Sequence, residues 1–365
     1  MIIVASCGHY SDDERIYYKQ IHTLKHISHT IEYFTYNKLD YKISDKNINH
    51  HHFNSNQYSQ FQYKNKLLNF IKKHNPSVLH IHDLELLPVA RKIKLANKKI
   101  KIIYDVHEDL VSMWDAFSSY RGIIKKMINN VLSQFELYHL KYIDCFILAN
   151  KFADRERYQK LGPVHVVQNF PLKNNVEEQS DIMNPYKLIY HGQIDCNRGL
   201  INLVDAFKNL SNQYNQLELK IIGPIRKKDF KEIIQNRLNK KIKLMEPIPH
   251  SDIWEILSNS HIGVIPFHDM LMFRKNTPTK LFELMATNCG IVASKLQPIY
   301  EFASDSISFS APENINSLIH AIEFYLTNVE VYKKHISHNR NLIQKQYNWD
   351  LESKKLLNIY EGLIS

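Results

Sequence analysis

The chain has 365 residues, 44% of them hydrophobic and 23% charged, with 47 basic against 37 acidic side chains and a formal charge of +10. Those figures exclude a disordered chain, leave room for two domains of ordinary size, and favour phosphorylated, nucleic-acid or anionic-membrane partners without choosing among them. Only nine glycines occur, no two separated by a single residue, so neither G-x-G-x-x-G nor G-x-x-x-x-G-K-[ST] can be written, which counts against NAD-type Rossmann enzymes and P-loop NTPases.

Short apolar runs alternate with amphipathic stretches of about 12 to 20 residues, the pattern of β-α-β units around a parallel sheet, so the predicted class is α/β. The N-terminal segment has no basic n-region, no apolar run approaches the length of a membrane span, and Cys7, Cys145, Cys196 and Cys289 lie far apart without C-x-x-C. A reducing, cytoplasmic setting is expected, with any membrane contact peripheral. In the first half, strands are predicted at Ile2–Ser6, Ile31–Tyr36, Val78–Ile81, Ile100–Tyr104, Cys145–Leu148 and His165–Gln168, with helices between them. Asp12 or Asp13 caps the first helix, whose Ile16, Ile21, Leu24 and Ile27 suit one face. The segment Asn37–Tyr63 is polar and rich in His, Asn and Gln, which predicts a strand plus an irregular loop.

His82 and Asp83 follow one predicted strand and His107 and Glu108 another, gathering four polar side chains at one rim where an attacking hydroxyl could be bound. Strand-end capping by His82 and Asp83 is an equal alternative. Gly8, after the first strand, suits a close backbone approach. The runs His50-His51-His52, His22 with His26, and His107-Glu108 lack metal-site spacing, so satisfied or solvated histidines are expected and no metal is assigned. Within Tyr120–Leu132, apolar residues at 123, 124, 127, 128, 131 and 132 share one helical face beside Arg121, Lys125 and Lys126. A core helix and an interfacial helix on an anionic membrane both carry that pattern; core packing is the preferred reading of the stripe.

The polar stretch Lys173–Asn184, closed by Pro185, reads as a linker, so the expected domains are 1–172 and 186–345, joined by 173–185, with a last helix over 346–365. Strands follow at Lys187–His191, Leu217–Ile222, Ile242–Leu244, Ile262–Pro266 and Gly290–Ala293, with helical patterns at 200–213, 227–239, 251–258 and 278–287 and further helices from Pro312 to about Lys345 and from Trp349 to Gly362. In Asn276-Thr277-Pro278-Thr279-Lys280-Leu281-Phe282-Glu283, Thr277 is expected to cap a helix whose first residue is Pro278. The amides of that first turn make an anion site, Lys280 adds a cation, and Glu283 offers a carboxylate to two sugar hydroxyls. Phosphate first and ribose next is the spacing of a nucleotide diphosphate. Gly192, after His191, lets a phosphate approach the backbone, and Arg198 at the next helix start can grip a diphosphate with two parallel bonds. Gly223 ends a strand at the same rim.

The order Tyr190-His191-Gly192, Arg198-Gly199-Leu200, Ile221-Ile222-Gly223, Ile248-Pro249-His250 and Pro278-x-Lys280-Leu281-Phe282-Glu283-x-Met285-Ala286 resembles the carboxyl domain of the family 4 (group 1) glycosyltransferases. In the first domain, Ser11-Asp12-Asp13-Glu14-Arg15-Ile16, His80-Ile81-His82-Asp83, Tyr104-Asp105-Val106-His107-Glu108 and Asn169-Phe170-Pro171 are similar to landmarks of its bacterial polysaccharide-assembly members. The resemblance implies a GT-B fold: two Rossmann-like, doubly wound domains facing across a cleft, the last helix crossing back to the first domain. It further implies retaining transfer of a sugar from a UDP- or GDP-sugar to a glycan or lipid-linked acceptor, without metal or cofactor. Ile248, Asn276 and Thr279 then join Gly8, Gly192, Arg198, Gly223, Lys280 and Glu283 at the donor. His107 stands where related enzymes place a histidine near the donor sugar, and His82, Asp83, His107 and Glu108 face the acceptor. Arg198 and Lys280 would stabilise the departing diphosphate. Departures are Lys275 in place of the first Glu of a Glu-x₇-Glu pair, Gln193 at a site that is often arginine, and Thr287-Asn288-Cys289-Gly290 after the helix.

The absence of any D-x-D agrees with charge neutralisation by Arg198, Lys280 and helix ends. The expected setting is the cytoplasmic face of the membrane, on a lipid-linked glycan for cell-surface polysaccharide. A catalytically silent scaffold of the same fold and a nucleotide-sugar 2-epimerase are the competing readings. Nucleic-acid binding has only the charge in its favour, so no nucleic-acid partner is expected.

Overall fold

The computed structural model describes the chain apart from residues 29, 40–42, 108–113, 115–117, 119, 121, 174–184, 226–227 and 365. Glu108 and Arg121 therefore lie outside the described residues. Two compact units form, Met1–Asn169 together with Trp349–Ser365, and Phe170–Asn348.

The first unit is built on a seven-stranded sheet of β1 (Ile2–Cys7), β2 (Ile31–Asn37), β3 (Ile48–Asn54), β4 (Val78–Ile81), β5 (Lys101–Val106), β6 (Cys145–Leu148) and β7 (Val164–Val166), in the order β3-β2-β1-β4-β5-β6-β7. Every pairing is parallel. Helices cover both faces of such a sheet, so its central strands must be apolar throughout; all six residues of β1 and all four of β4 and of β6 are buried. Ile81 pairs with Ala5 and with Tyr104, which brings Gly8, His82 and His107 out at one rim, beside the β1/β4 point where the strand order reverses. That is where open α/β sheets take ligands.

Local signals explain the helices. Ser59 and Gln62 form a capping box on the Gln60–His74 helix, which buries Tyr63, Leu67, Leu68 and Ile71 and ends on left-handed Asn75. The segment Glu14–Ile21 is π-helical; of the two candidate caps it is Asp13 that accepts from the Arg15 and Ile16 amides. β3, with sequence INHHHFN, is held by its partner strand: Thr35 bonds His50 and His52, and Glu32 bonds His51. The last helix, Trp349–Ile364, packs in this unit, with Trp349 Nε1 donating to Thr23 at 2.9 Å and Tyr360 Oη 2.7 Å from His80 Nδ1.

The apolar stripe after Tyr120 does not pack in the core. In the Gly122–Leu140 helix the buried residues are Glu136, His139 and Leu140, whereas Ile123, Ile124, Met127 and Val131 are exposed. Periodicity marks one apolar face but does not say what it meets.

The second unit repeats the architecture with β8 (Lys187–His191), β9 (Glu218–Ile222), β10 (Ile242–Met245), β11 (Ile262–Ile265), β12 (Gly290–Ser294) and β13 (Ser308–Ser310), all parallel in the order β10-β9-β8-β11-β12-β13. The helices Leu200–Gln213, Ile315–Thr327 and Val329–Lys345 each turn apolar side chains onto the core. Phe282 and Phe302 pack edge-on and Tyr347 tilted against Phe170 at the start of the unit.

Candidate functional site

Two polar clusters stand at the carboxyl ends of the two sheets. In the second unit, β8 and β9 end on Gly192 and Gly223, whose backbones approach so closely that a Cβ on Gly223 would lie 2.0 Å from the Gly192 carbonyl oxygen; Gly223 has φ +146°. Only glycine fits there. A Cβ on Gly192 would in turn stand 3.0 Å from the Lys280 Nζ.

Lys280 belongs to the helix Thr279–Ala286, which starts one residue later than the sequence suggests. Pro278, with φ −68° and ψ 128°, is itself the N-cap, so the cap falls on the proline and not on Thr277. The extended ψ of the proline keeps it outside the helix. The Lys280 side chain is buried and its Nζ has no hydrogen-bond partner among the described residues; it sits 4.0 Å from the Tyr190 ring centroid and 5.1 Å from that of Phe267. Arg198 faces the same Phe267 ring at 5.3 Å and is held by Asp195, whose carboxylate accepts from the Arg198 backbone at 3.0 Å and from its Nε at 3.3 Å. Burial, reinforced by the Arg198 charge, holds the Lys280 ammonium well below the usual lysine range. Two cations gathered on one ring call for an anion between them.

Glu283, buried one turn further on, has Oε2 2.6 Å from His191 Nε2. His191, at the end of β8, is a site residue that residue-by-residue reading passed over, although it stands in the Tyr190-His191-Gly192 run. The structure thus brings Gly192, Gly223, Arg198, Lys280 and Glu283 together. Ile248 is half-buried in the segment after β10, Asn276 half-buried before the helix, and Thr279 exposed at its first position.

In the first unit, buried Asp105 on β5 is the hub. Arg15 grips it with Nε–Oδ2 3.1 Å and Nη2–Oδ1 2.9 Å, and Gln20 donates to Oδ2 as well. His80, His82 and His107 ring the same carboxylate at 3.9, 3.7 and 4.0 Å. His82 Nδ1 is 3.0 Å from His107 Nε2, so one proton is shared between the two rings. Burial pushes His107 down to about 3 and His80 to about 4, and His82 well below its usual value, against the pull of Asp105 on His80 and His107. At neutral pH these are neutral imidazoles, suited to hydrogen-bonding a hydroxyl.

Asp83 is turned back on the protein. Its Oδ2 accepts from the Cys7 amide at 2.6 Å, and its Oδ1 lies 3.4 Å from His9 Nε2. Burial pushes its carboxyl up to about 6. His9 was not singled out in the sequence: burial would lower it, but the bond to Asp13 at 3.1 Å and the charges of Asp83 and Asp13 raise it to about 9. Its ring lies tilted against that of His107, the centroids 4.7 Å apart. Gly8, with φ +124°, opens the rim beside it.

Among the described residues, His80, His82 and Asp105 have donor atoms within 4.8 Å of one another, as a cation site would need. The Asp105 carboxylate is already committed to Arg15 and Gln20, and His80 Nδ1 to Tyr360. The guanidinium holds the place of the cation.

Residues 173–344 match the family of glycosyl transferases group 1. No curated protein sequence matches the chain. Among solved structures, the chain is similar to a sucrose-phosphate synthase from Thermosynechococcus elongatus (16% identity, 100% of this chain and 99% of that chain, TM-score 0.77). It is similar also to Anabaena HepE in complex with UDP (12% identity, 99% and 100% covered, TM-score 0.75). A glycosyltransferase from Rickettsia africae gives 16% identity over 100% and 98% of the two chains, with a TM-score of 0.69. The fold is GT-B. The matched segment holds the cation pair and Glu283, while the histidine cluster lies in the part outside it.

Proposed function

We propose that the protein is a glycosyltransferase that moves a sugar from a nucleotide-diphosphate sugar to a glycan or lipid-linked acceptor with retention of configuration, in cell-surface polysaccharide synthesis. The carrying observation is the buried Lys280 ammonium, with no hydrogen-bond partner among the described residues, set beside Gly192 and sharing the Phe267 ring with Arg198 at the start of the Thr279–Ala286 helix. That arrangement costs stability in the ligand-free protein and is repaid by a diphosphate. The group 1 match over this segment, and HepE structures holding UDP and UDP-glucose, support the same reading.

In this mechanism the diphosphate bridges Arg198, Lys280 and the first-turn amides, and Glu283 takes the ribose hydroxyls while His191 fixes its carboxylate. As the glycosidic bond lengthens, the cations stabilise the charge growing on the leaving phosphate, and a phosphate oxygen accepts the proton of the attacking hydroxyl on the same face. His107, neutral and tied to His82, orients hydroxyls near the reacting carbon. Gly8, Gly223, Ile248, Asn276 and Thr279 complete the donor side, and His82, Asp83 and Glu108 the acceptor side.

A thermal-shift panel of UDP-, GDP-, ADP- and dTDP-sugars tests the reading. One nucleotide class should stabilise the wild type, Arg198→Ala and Lys280→Ala should abolish the shift, and slow donor hydrolysis should accompany it. Stabilisation without hydrolysis or transfer would leave a silent scaffold, conversion of the donor alone an epimerase, and no stabilisation by any class would end the donor assignment.

A further inference from the structure

Arg15 and Gln20 reach one buried carboxylate from one helix, and the winding of that helix is what lets them. Residues five apart on an α-helix stand about 140° apart around its axis. Glu14–Ile21 is π-helical, and its wider turn sets Arg15 and Gln20 on one side, where both donate to Asp105. Such turns are rare and are frequent at functional sites. Arg15 and Asp105 are both buried, so neither is presented to solvent.

The pairing is a balance of charge. Arg15 Nε and Nη2 occupy both oxygens of Asp105, and a guanidinium keeps its proton at every working pH. Next to the pair, His82 Nδ1 and His107 Nε2 stand 3.0 Å from each other and 3.7 and 4.0 Å from Asp105 Oδ2. The charged and titratable groups around His107 are Asp105 on its own strand, His82 after β4, His9 after β1, and Asp13 and Arg15 at the start of the first helix. His82 faces His80 as well, which the last helix meets through Tyr360. With Arg15 in place the carboxylate is matched, and burial keeps both rings uncharged. Without it, an unmatched buried carboxylate would draw a further proton onto two imidazoles already placed to hold one between them.

We propose that Arg15 is a positioning residue for sugar transfer: by occupying Asp105 it keeps the His82–His107 pair uncharged beside the reacting carbon. The inference rests on the transferase reading, which sets His107 there. Cleavage of a glycosidic bond passes through an oxocarbenium-like state, with positive charge building on the sugar. A neutral imidazole hydrogen-bonds a sugar hydroxyl without opposing that charge, whereas an imidazolium repels it.

Ring-nitrogen NMR of the histidine-labelled full chain reads the charges directly. In wild type both rings should stay neutral from about pH 8 down to about 5. Arg15→Gln removes the charge and keeps a donor for Asp105; it should show a charged pair at about pH 6 that loses its proton by about pH 9. Hydrolysis of whichever of UDP-, GDP-, ADP- or dTDP-glucose stabilises the wild type should fall roughly tenfold or more in this variant at about pH 6 and recover by about pH 9, with donor KM little changed. Adding Asp105→Asn removes both charges and should restore the wild-type profile, and Arg15→Lys, which keeps the cation, should stay near it. A merely structural role would instead give a loss independent of pH that the double variant deepens. That result overturns the proposal, as do neutral rings or an unaltered pH profile in Arg15→Gln. So does a charged His82–His107 pair in wild type at about pH 7, a measurement that needs no variant to fold. Failure of all four nucleotide sugars to bind would end the transferase reading and this role with it, whereas neutral rings in Arg15→Gln end this role alone.

Discussion

The Lys280 ammonium lies 4.0 Å from the centroid of the Tyr190 ring and has no hydrogen-bond partner among the described residues. A cation–π contact recovers only part of what burial takes from an ammonium. Lys280→Met keeps the apolar stem and removes the charge, so it should raise the stability of the ligand-free protein by about 1–3 kcal/mol while abolishing stabilisation by nucleotide. The pH dependence has a definite sign. Because the folded value is depressed below the ordinary 10.5, the unfolded chain binds the proton more tightly, and the stability contributed by this group rises with pH through the window up to 10.5. Urea denaturation of wild type and variant across that window should show the gap between them closing as pH rises.

Glu283 and His191 form the second pair, at 2.6 Å. Glu283→Ala removes the proposed ribose acceptor and leaves a buried imidazole without this partner, which should cost about 1–3 kcal/mol of stability and weaken nucleotide binding roughly tenfold or more. Glu283→Gln keeps an acceptor oxygen and should weaken binding less. Calorimetric titration with the nucleotide found in the stabilisation panel orders the three proteins.

His9 is raised to about 9 by Asp13 and Asp83 against the effect of burial. The folded state then binds the proton more tightly than the unfolded chain, so the stability it adds is full below about 6.5 and is lost as pH rises through about 9. His9→Asn should flatten that loss. Chemical denaturation over the same range measures it, and an unchanged slope would count against the ion pairs with Asp13 and Asp83.

Tyr360 supplies the hydroxyl 2.7 Å from His80 Nδ1, while His80 Nε2 has no hydrogen bond. Tyr360→Phe leaves a fully buried imidazole without a bonded nitrogen and should destabilise the first unit by about 1–3 kcal/mol. Stabilisation by nucleotide, proposed to rest chiefly on Gly192, Arg198, Lys280 and Glu283, should hold, as thermal shift with and without nucleotide would show.

Much of the architecture was readable because a strand covered on both faces has to be apolar along its length. Val78–Ile81, Cys145–Leu148 and Lys187–His191, with the helix at 200–213, stand where the sequence places them. The strand expected within Asn37–Tyr63 is β3, although INHHHFN carries no apolar run to fix its bounds; β13 was not readable, since SFS becomes a strand through what it pairs with. The cap also escaped, because Thr277 and Pro278 both satisfy the local preference and backbone geometry chose the proline.

For the site, the sequence by itself determined which residue types are available: Gly192, Arg198, Lys280 and Glu283 in an order that suits a diphosphate and a ribose, and histidines at the ends of β4 and β5. Tertiary structure alone decided their condition. That Lys280 has no hydrogen-bond partner, that Glu283 is met by a histidine 92 residues away, and that Asp105 is gripped by an arginine 90 residues away are consequences of packing between distant segments. The apolar stripe at 123–138 makes the same point most simply. A 3.6-residue period fixes that a helix has an apolar side, and the burial of its neighbours fixes whether that side meets protein or water.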